Sequence, residues 1–186
     1  TLWPEPDALE QELDRERETL ERSNPGRWPG RALPADLRAA PAAHHEELWE
    51  WVWRLQPAVK PPPFVAVWPR GGAKSTAAEA AVVAAGARRV RRYALYICET
   101  QNQADDHVAN IAAMLTSPAV ERYFPLLARR LLDVHGNSRG WRRNRLRTAS
   151  MLTVDALGLD TAARGVKLED QRPDLLRQTR CVPHIG

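Results

Sequence analysis

Nine consecutive residues, Trp68-Pro69-Arg70-Gly71-Gly72-Ala73-Lys74-Ser75-Thr76, combine the residue types that an anion site needs. Paired glycines permit a tight turn whose backbone N–H groups converge. A helix beginning just after them adds unpaired donors and the positive end of its dipole. Lys74 has the reach to contact the β- and γ-phosphates of a nucleotide, and the Ser75 hydroxyl can ligate Mg²⁺. Arg70 is an added cation. The spacing departs from the usual phosphate-loop pattern: counting back from Lys74, Ala73 and Trp68 stand where that pattern has glycines, and the glycines fall at Gly71 and Gly72. A Gly-Gly turn beside a chance Lys-Ser pair is the plain alternative. The order of the surrounding elements favours the binding reading.

Those elements are a strand, a turn, a helix and a strand. Phe64-Val65-Ala66-Val67 is a short apolar run, entered from the extended Pro61-Pro62-Pro63. Thr76 to Ala85 is alanine-rich and reads as a helix, with Gly86 placed as its C′ cap. Tyr93-Ala94-Leu95-Tyr96-Ile97-Cys98 reads as a buried strand, with Cys98 a small buried residue. Together they predict one βαβ unit with parallel strands and a right-handed crossover. A second helix is expected from Gln103 to Leu115, with Ala104, Val108, Ile111, Ala112 and Leu115 on its apolar face. Thr100 stands at its start and at the carboxyl end of the strand. It is either an N-terminal cap or a ligand contact.

Around this unit, Asp7 to Arg22 reads as an exposed amphipathic helix and Asn24 to Pro41 as a linker, with Trp28 as an anchor. His44 to Gln56 reads as a helix with Leu48, Trp51, Val52 and Leu55 on one face; its tryptophans read as packing rather than as a base-stacking platform. His44, His45 and His107 read as solvated. Arg88-Arg89-Val90-Arg91-Arg92 reads as a basic turn, solvated or touching DNA phosphates. A helical stretch from Ser117 should run through Val120, Tyr123, Leu126, Leu127 and Leu131. Trp141 to Thr148 and Met151 to Leu157 should form two strands joined at Ala149-Ser150. Thr161 to Gly165 is a polar loop, and Arg172-Pro173-Asp174-Leu175-Leu176 reads as the entry to another central strand.

Composition bounds these readings. The chain has 186 residues and a net charge of +4, compatible with nucleic acid, although an arginine bias can also come from a GC-rich genome. Lysine occurs only at Lys60, Lys74 and Lys167. Cys98 and Cys181 lie too far apart for a metal spacing, and a reducing cytosol is the default. No apolar run has the length of a membrane span. The first residue is Thr, which is expected of a piece of a longer protein.

In order along the chain, these motifs resemble the ATPase half of the large terminase subunit of tailed bacteriophages, the motor that packages DNA. Pro69-Arg70-Gly71-Gly72-Ala73-Lys74-Ser75-Thr76 is similar to that family's deviant phosphate loop. Tyr96-Ile97-Cys98-Glu99-Thr100-Gln101-Asn102-Gln103-Ala104 resembles the strand and Thr/Gln-containing turn that follow it. The basic hairpin, Ala163-Arg164-Gly165 and Arg172-Pro173-Asp174-Leu175 resemble the approach to its second nucleotide motif. The resemblance covers residues 45 to 176. It implies a P-loop NTPase-type α/β fold: a mainly parallel sheet flanked by helices, truncated, behind an N-terminal helical arm. Residues 1–57 would be the arm and linker, 58–176 a partial ATPase domain, and 177–186 an irregular tail.

The implied ligands are ATP and Mg²⁺. Arg70, Gly71, Gly72, Ala73, Lys74, Ser75 and Thr76 would bind nucleotide, Ser75 would hold the metal, and Arg70 and Lys74 would be the catalytic cations. Thr76 would contact the α-phosphate or cap the helix. The implied partners are double-stranded DNA and, in the complete motor, portal protein, small terminase subunit and further copies of the chain, in the host cytoplasm and away from membranes. One departure stands out. The family's strand after Arg-Pro-Asp ends in paired acids that hold Mg²⁺ and polarise water, and here no Asp or Glu follows Asp174. Asp174 itself precedes the strand and is not expected to bind metal. The chain as given is therefore expected to bind ATP without useful turnover. The alternatives are another helicase-like ATPase and a non-enzymatic basic nucleic-acid-binding or scaffold fragment.

Overall fold

A computed structural model describes residues 11, 42–160 and 173–178. Apart from residue 11, the expected helix at 7–22 lies outside the described residues, as do the linker with Trp28, the loop at 161–165, Cys181 and most of the tail. The described part is mixed α/β. Its elements are α1 (Ala43–Arg54), α2 (Lys74–Ala87), β1 (Tyr93–Cys98), α3 (Gln101–Leu115), α4 (Pro118–Tyr123), α5 (Pro125–Ala128), β2 (Arg145–Arg147), β3 (Thr153–Gly158) and β4 (Leu175–Gln178).

The sheet order is β2-β3-β1-β4. β1 pairs in parallel with β3, from Tyr93 opposite Thr153 to Cys98 opposite Gly158, and in parallel with β4. β2 and β3 form the expected hairpin, antiparallel, although β2 is shorter than predicted. A strand flanked on both sides must be apolar throughout, and β1 is. β4 runs on through Arg177 and Gln178, beyond the expected domain end, because Tyr96 and Ile97 of β1 continue the ladder opposite them. Among the described strands β4 is an edge, not a central strand.

Phe64–Val67 is not a strand. It makes no ladder, and Val65 and Val67 are 79% and 89% exposed. A strand is defined by its partner, and both edges of β1 are already taken by β3 and β4. The expected βαβ unit beginning at Phe64 is therefore absent. The parallel crossover in the structure joins β1 to β3 through α3, α4, α5 and β2.

α2 is longer than predicted and buried on every side from Ala77 to Ala87. A helix apolar all round belongs in a core, and alanine lets its neighbours come close. Gly86 is not its cap. It lies inside the helix, where a Cβ would stand 2.6 Å from Leu152 Cδ2 and 3.3 Å from Leu127 Cδ1. The stop is a Schellman motif, in which Val90 N–H bonds Ala85 O at 3.1 Å and Arg89 N–H bonds Gly86 O at 3.0 Å. Arg89 fills the left-handed position at φ 54°.

The basic turn after α2 is not solvated throughout. Arg88 donates to the Val52 and Trp53 carbonyls at 2.7 and 3.1 Å, and Arg91, only 3% exposed, donates to Gln56 O and Val59 O. The two guanidiniums satisfy carbonyls at and beyond the negative end of α1. Arg88 and Arg91 are therefore committed to the fold, while Arg92 of the same turn is exposed. The helix expected from Ser117 is broken at Phe124, whose φ of −139° precedes Pro125, so α4 and α5 are separate short helices.

Candidate anion-binding site

The loop before α2 is built from two local devices. Pro69 to Gly72 is a turn closed by Gly72 N–H to Pro69 O at 3.2 Å, and Gly71 in its third position has φ +80°, as a type II turn requires. Ala73 then takes φ 50° and ψ 27°, and the helix starts at Lys74 with no side-chain cap. Neither device uses the N–H groups of Lys74, Ser75 and Thr76, which have no acceptor among the described residues. Three donors thus point out of the start of a long buried helix, at the positive end of its dipole. Lys74, Ser75 and Thr76 are half-buried and Arg70 is exposed. Neither cation pairs with a carboxylate among the described residues. The Gly72 N–H is not available to a ligand, since Pro69 O holds it.

The loop is held from behind by α1. His45 Nε2 bonds the Gly72 carbonyl at 3.0 Å, and the rings of His44, His45 and Trp68 cluster with centroids 4.3 to 5.0 Å apart. Both histidines are half-buried and engaged. They were expected to be solvated because their partners lie in a loop far along the chain, and nothing local marks them.

α2 starts on the side of the carboxyl edge of β1 and β3. The C-terminal turn of α2 abuts Leu152, at the amino end of β3, so its N-terminus lies toward the carboxyl edge. There α3 begins. Thr100 Oγ1 caps it by accepting Gln103 N–H at 3.4 Å, and Asp160 Oδ1 accepts Gln101 N–H at 3.0 Å. The Gln101 side chain accepts Gly158 N–H at 2.9 Å and donates to Asp105 at 2.7 Å. Capping therefore accounts for Thr100. The approach is so close that a Cβ on Gly158 would collide with the Gln101 backbone.

Glu79 and His107 were not foreseen as partners. Glu79 is 3% exposed on α2; its Oε1 accepts His107 Nδ1–H at 2.6 Å and Asn110 Nδ2–H at 3.1 Å from α3. His107, expected to be exposed, packs its ring 4.7 Å from Tyr96. The signal available in the sequence was one acid in an otherwise apolar helix. This bridge sets α2 and α3 side by side.

The acids that could have served chemistry are mostly engaged. Asp155 is 5% exposed, receives a bidentate Arg145 at 2.6 and 2.7 Å, and accepts Tyr93 O–H at 2.6 Å. Burial, then the bond to Asp155, pushes the Tyr93 phenol well above its ordinary range. The bond to Asp155 also raises Arg145. Asp174 accepts the Arg92 and Tyr93 N–H groups at 3.0 Å each and pins the start of β4 to that of β1. The Glu99 side chain, exposed at the carboxyl end of β1, bonds no group among the described residues, although its carbonyl accepts the Asp160 N–H at 3.3 Å. No group of three or more His, Cys, Asp or Glu fit to hold a metal occurs among the described residues. Ser75 is the chain's own candidate, which suits a Mg²⁺ that keeps most of its waters and binds through nucleotide phosphates.

Compared with known proteins, the chain matches no family model, no curated protein and no solved structure. No described helix is long and apolar enough to cross a membrane.

Proposed function

We propose that the loop at residues 69–76 binds the phosphates of Mg-ATP, and that the chain is the N-terminal part of a phage DNA-packaging ATPase resembling the large terminase subunit. The observation that carries the binding reading is the uncapped start of α2, three donors with no acceptor beside Lys74. In this reading the Lys74, Ser75 and Thr76 N–H groups bind phosphate oxygens, Lys74 neutralises the β- and γ-phosphates, and Ser75 holds Mg²⁺. Arg70, exposed within the turn, is the cation for the γ-phosphate. The partners that follow are double-stranded DNA, and in the complete motor portal protein, small subunit and further copies of the chain, in the host cytoplasm.

Hydrolysis needs a base to orient water. Asp155 and Asp174 are engaged elsewhere, and Asp160 caps α3, which leaves Glu99 as the available carboxylate at this edge among the described residues. The chain is accordingly proposed to bind ATP and release phosphate slowly. Calorimetry with Mg-ATP tests the reading. Lys74→Ala should weaken affinity roughly tenfold to a hundredfold through loss of a charge-assisted contact. Equal affinity in both proteins removes the assignment. The basic-scaffold alternative predicts no nucleotide binding by either.

A further inference from the structure

We propose that His45 is a positioning residue for the loop: its imidazole turns the Gly72 carbonyl out of the anion concavity and so aims the Ala73 N–H into it. The proposal rests on the phosphate reading of residues 69–76. A carbonyl only accepts, so the 3.0 Å contact to Gly72 O places the ring proton on Nε2. Nδ1 accepts the Ala42 N–H at 3.2 Å, three residues back at the start of α1. Both ring nitrogens are thereby assigned, and the ring is the neutral Nε2–H tautomer.

The consequence lies in the peptide plane. In a trans peptide the carbonyl and the following N–H point in opposite directions, and no described peptide is cis. A Gly72 carbonyl held toward α1 sends the Ala73 N–H away from α1. That N–H has no acceptor among the described residues. Were this peptide to flip, a carbonyl oxygen would face the anion and repel it. Little else prevents the flip. Glycine has almost no conformational preference of its own, and the Ala73 methyl makes no hydrogen bond that could fix the peptide before it. Gly72 is instead tied at both ends, by N–H to Pro69 O and by C=O to His45. A Cβ on Gly72 would stand 3.1 Å from Pro69 O, 3.6 Å from Trp68 Cβ and 3.7 Å from His44 Nε2, so the neighbours leave room for a bare backbone.

Two variants separate positioning from packing. His45→Phe keeps the ring against His44 and Trp68 and removes the donor. His45→Gln places a donor near the Nε2 position and removes the ring. Kd values for Mg-ATP and for inorganic pyrophosphate are measured for wild type and both variants, with circular-dichroism melts to confirm folding. His45→Phe should weaken both ligands about three- to tenfold, the worth of one hydrogen bond, and His45→Gln should restore wild-type affinity. Wild-type binding by His45→Phe, or equal losses in both variants, overturns the positioning role and leaves the loop reading intact. Failure of wild type to bind either ligand overturns the loop reading and this role with it. In the free protein, ¹⁵N shifts of the His45 ring must report the Nε2–H tautomer; an Nδ1–H tautomer overturns the proposal whatever the ligands do.

Discussion

Two helices begin at the same edge of the sheet, and they begin in opposite ways. α3 is closed: Thr100 caps it, Asp160 takes the Gln101 N–H, and the Gln101 side chain ties it to Gly158. α2 is open: its flanking residue is an alanine in the left-handed region, no side chain caps it, and Lys74 stands beside the exposed donors. Unmet donors at a helix start lower stability by an amount a single serine or aspartate would restore. The sequence shows at Thr100 that it can supply such a residue. A closed start is a structural joint. An open one flanked by cations that pair with no carboxylate among the described residues suits an external anion.

The largest effect should come from the bridge that holds the two helices together. Glu79→Ala removes the acceptor of both His107 and Asn110 inside the core and should cost about 2 kcal/mol in chemical denaturation. If the bridge also sets the loop against the sheet edge, nucleotide affinity should fall in parallel. A destabilised protein with unchanged affinity would make the two helix starts independent. Next is Thr100→Ala, expected to cost about 0.5–1 kcal/mol from loss of a cap with no change in nucleotide affinity. Weaker binding there would return Thr100 to the role of ligand contact. The smallest effect is Ala73→Gly. It relieves the left-handed backbone but loosens the loop, so it should raise stability by about 0.5 kcal/mol while nucleotide binds less tightly. A gain in both would show that the alanine is not setting the loop geometry.

Helix content was largely legible. α1, α3 and the β2–β3 hairpin follow from periodicity and turn residues, and the Thr100 cap follows from a residue three positions from its donor. The misread residues have distant partners. His45 and Gly72 are 27 positions apart, Glu79 and His107 are 28 apart, and Arg91 and Gln56 are 35 apart. Each was assigned to solvent, or passed over, because a polar side chain looks the same in sequence whether water or a remote backbone satisfies it. Gly86 was read as a cap because glycine commonly ends helices, but its small size serves the approach of Leu152.

The sequence alone determined the apolar run of β1, the all-round apolar surface of α2 and the residues at 69–76 that precede it. These are local properties: periodicity, turn chemistry and capping act over a few residues. Only the tertiary structure decided that Phe64–Val67 lacks a ladder, that Arg88 and Arg91 close α1, that Asp155 and Asp174 are engaged, and that the start of α2 stays open. Those outcomes turn on which buried donor meets which acceptor. Such pairing is set by the whole chain's packing, because every buried polar group must find a partner wherever the fold supplies one.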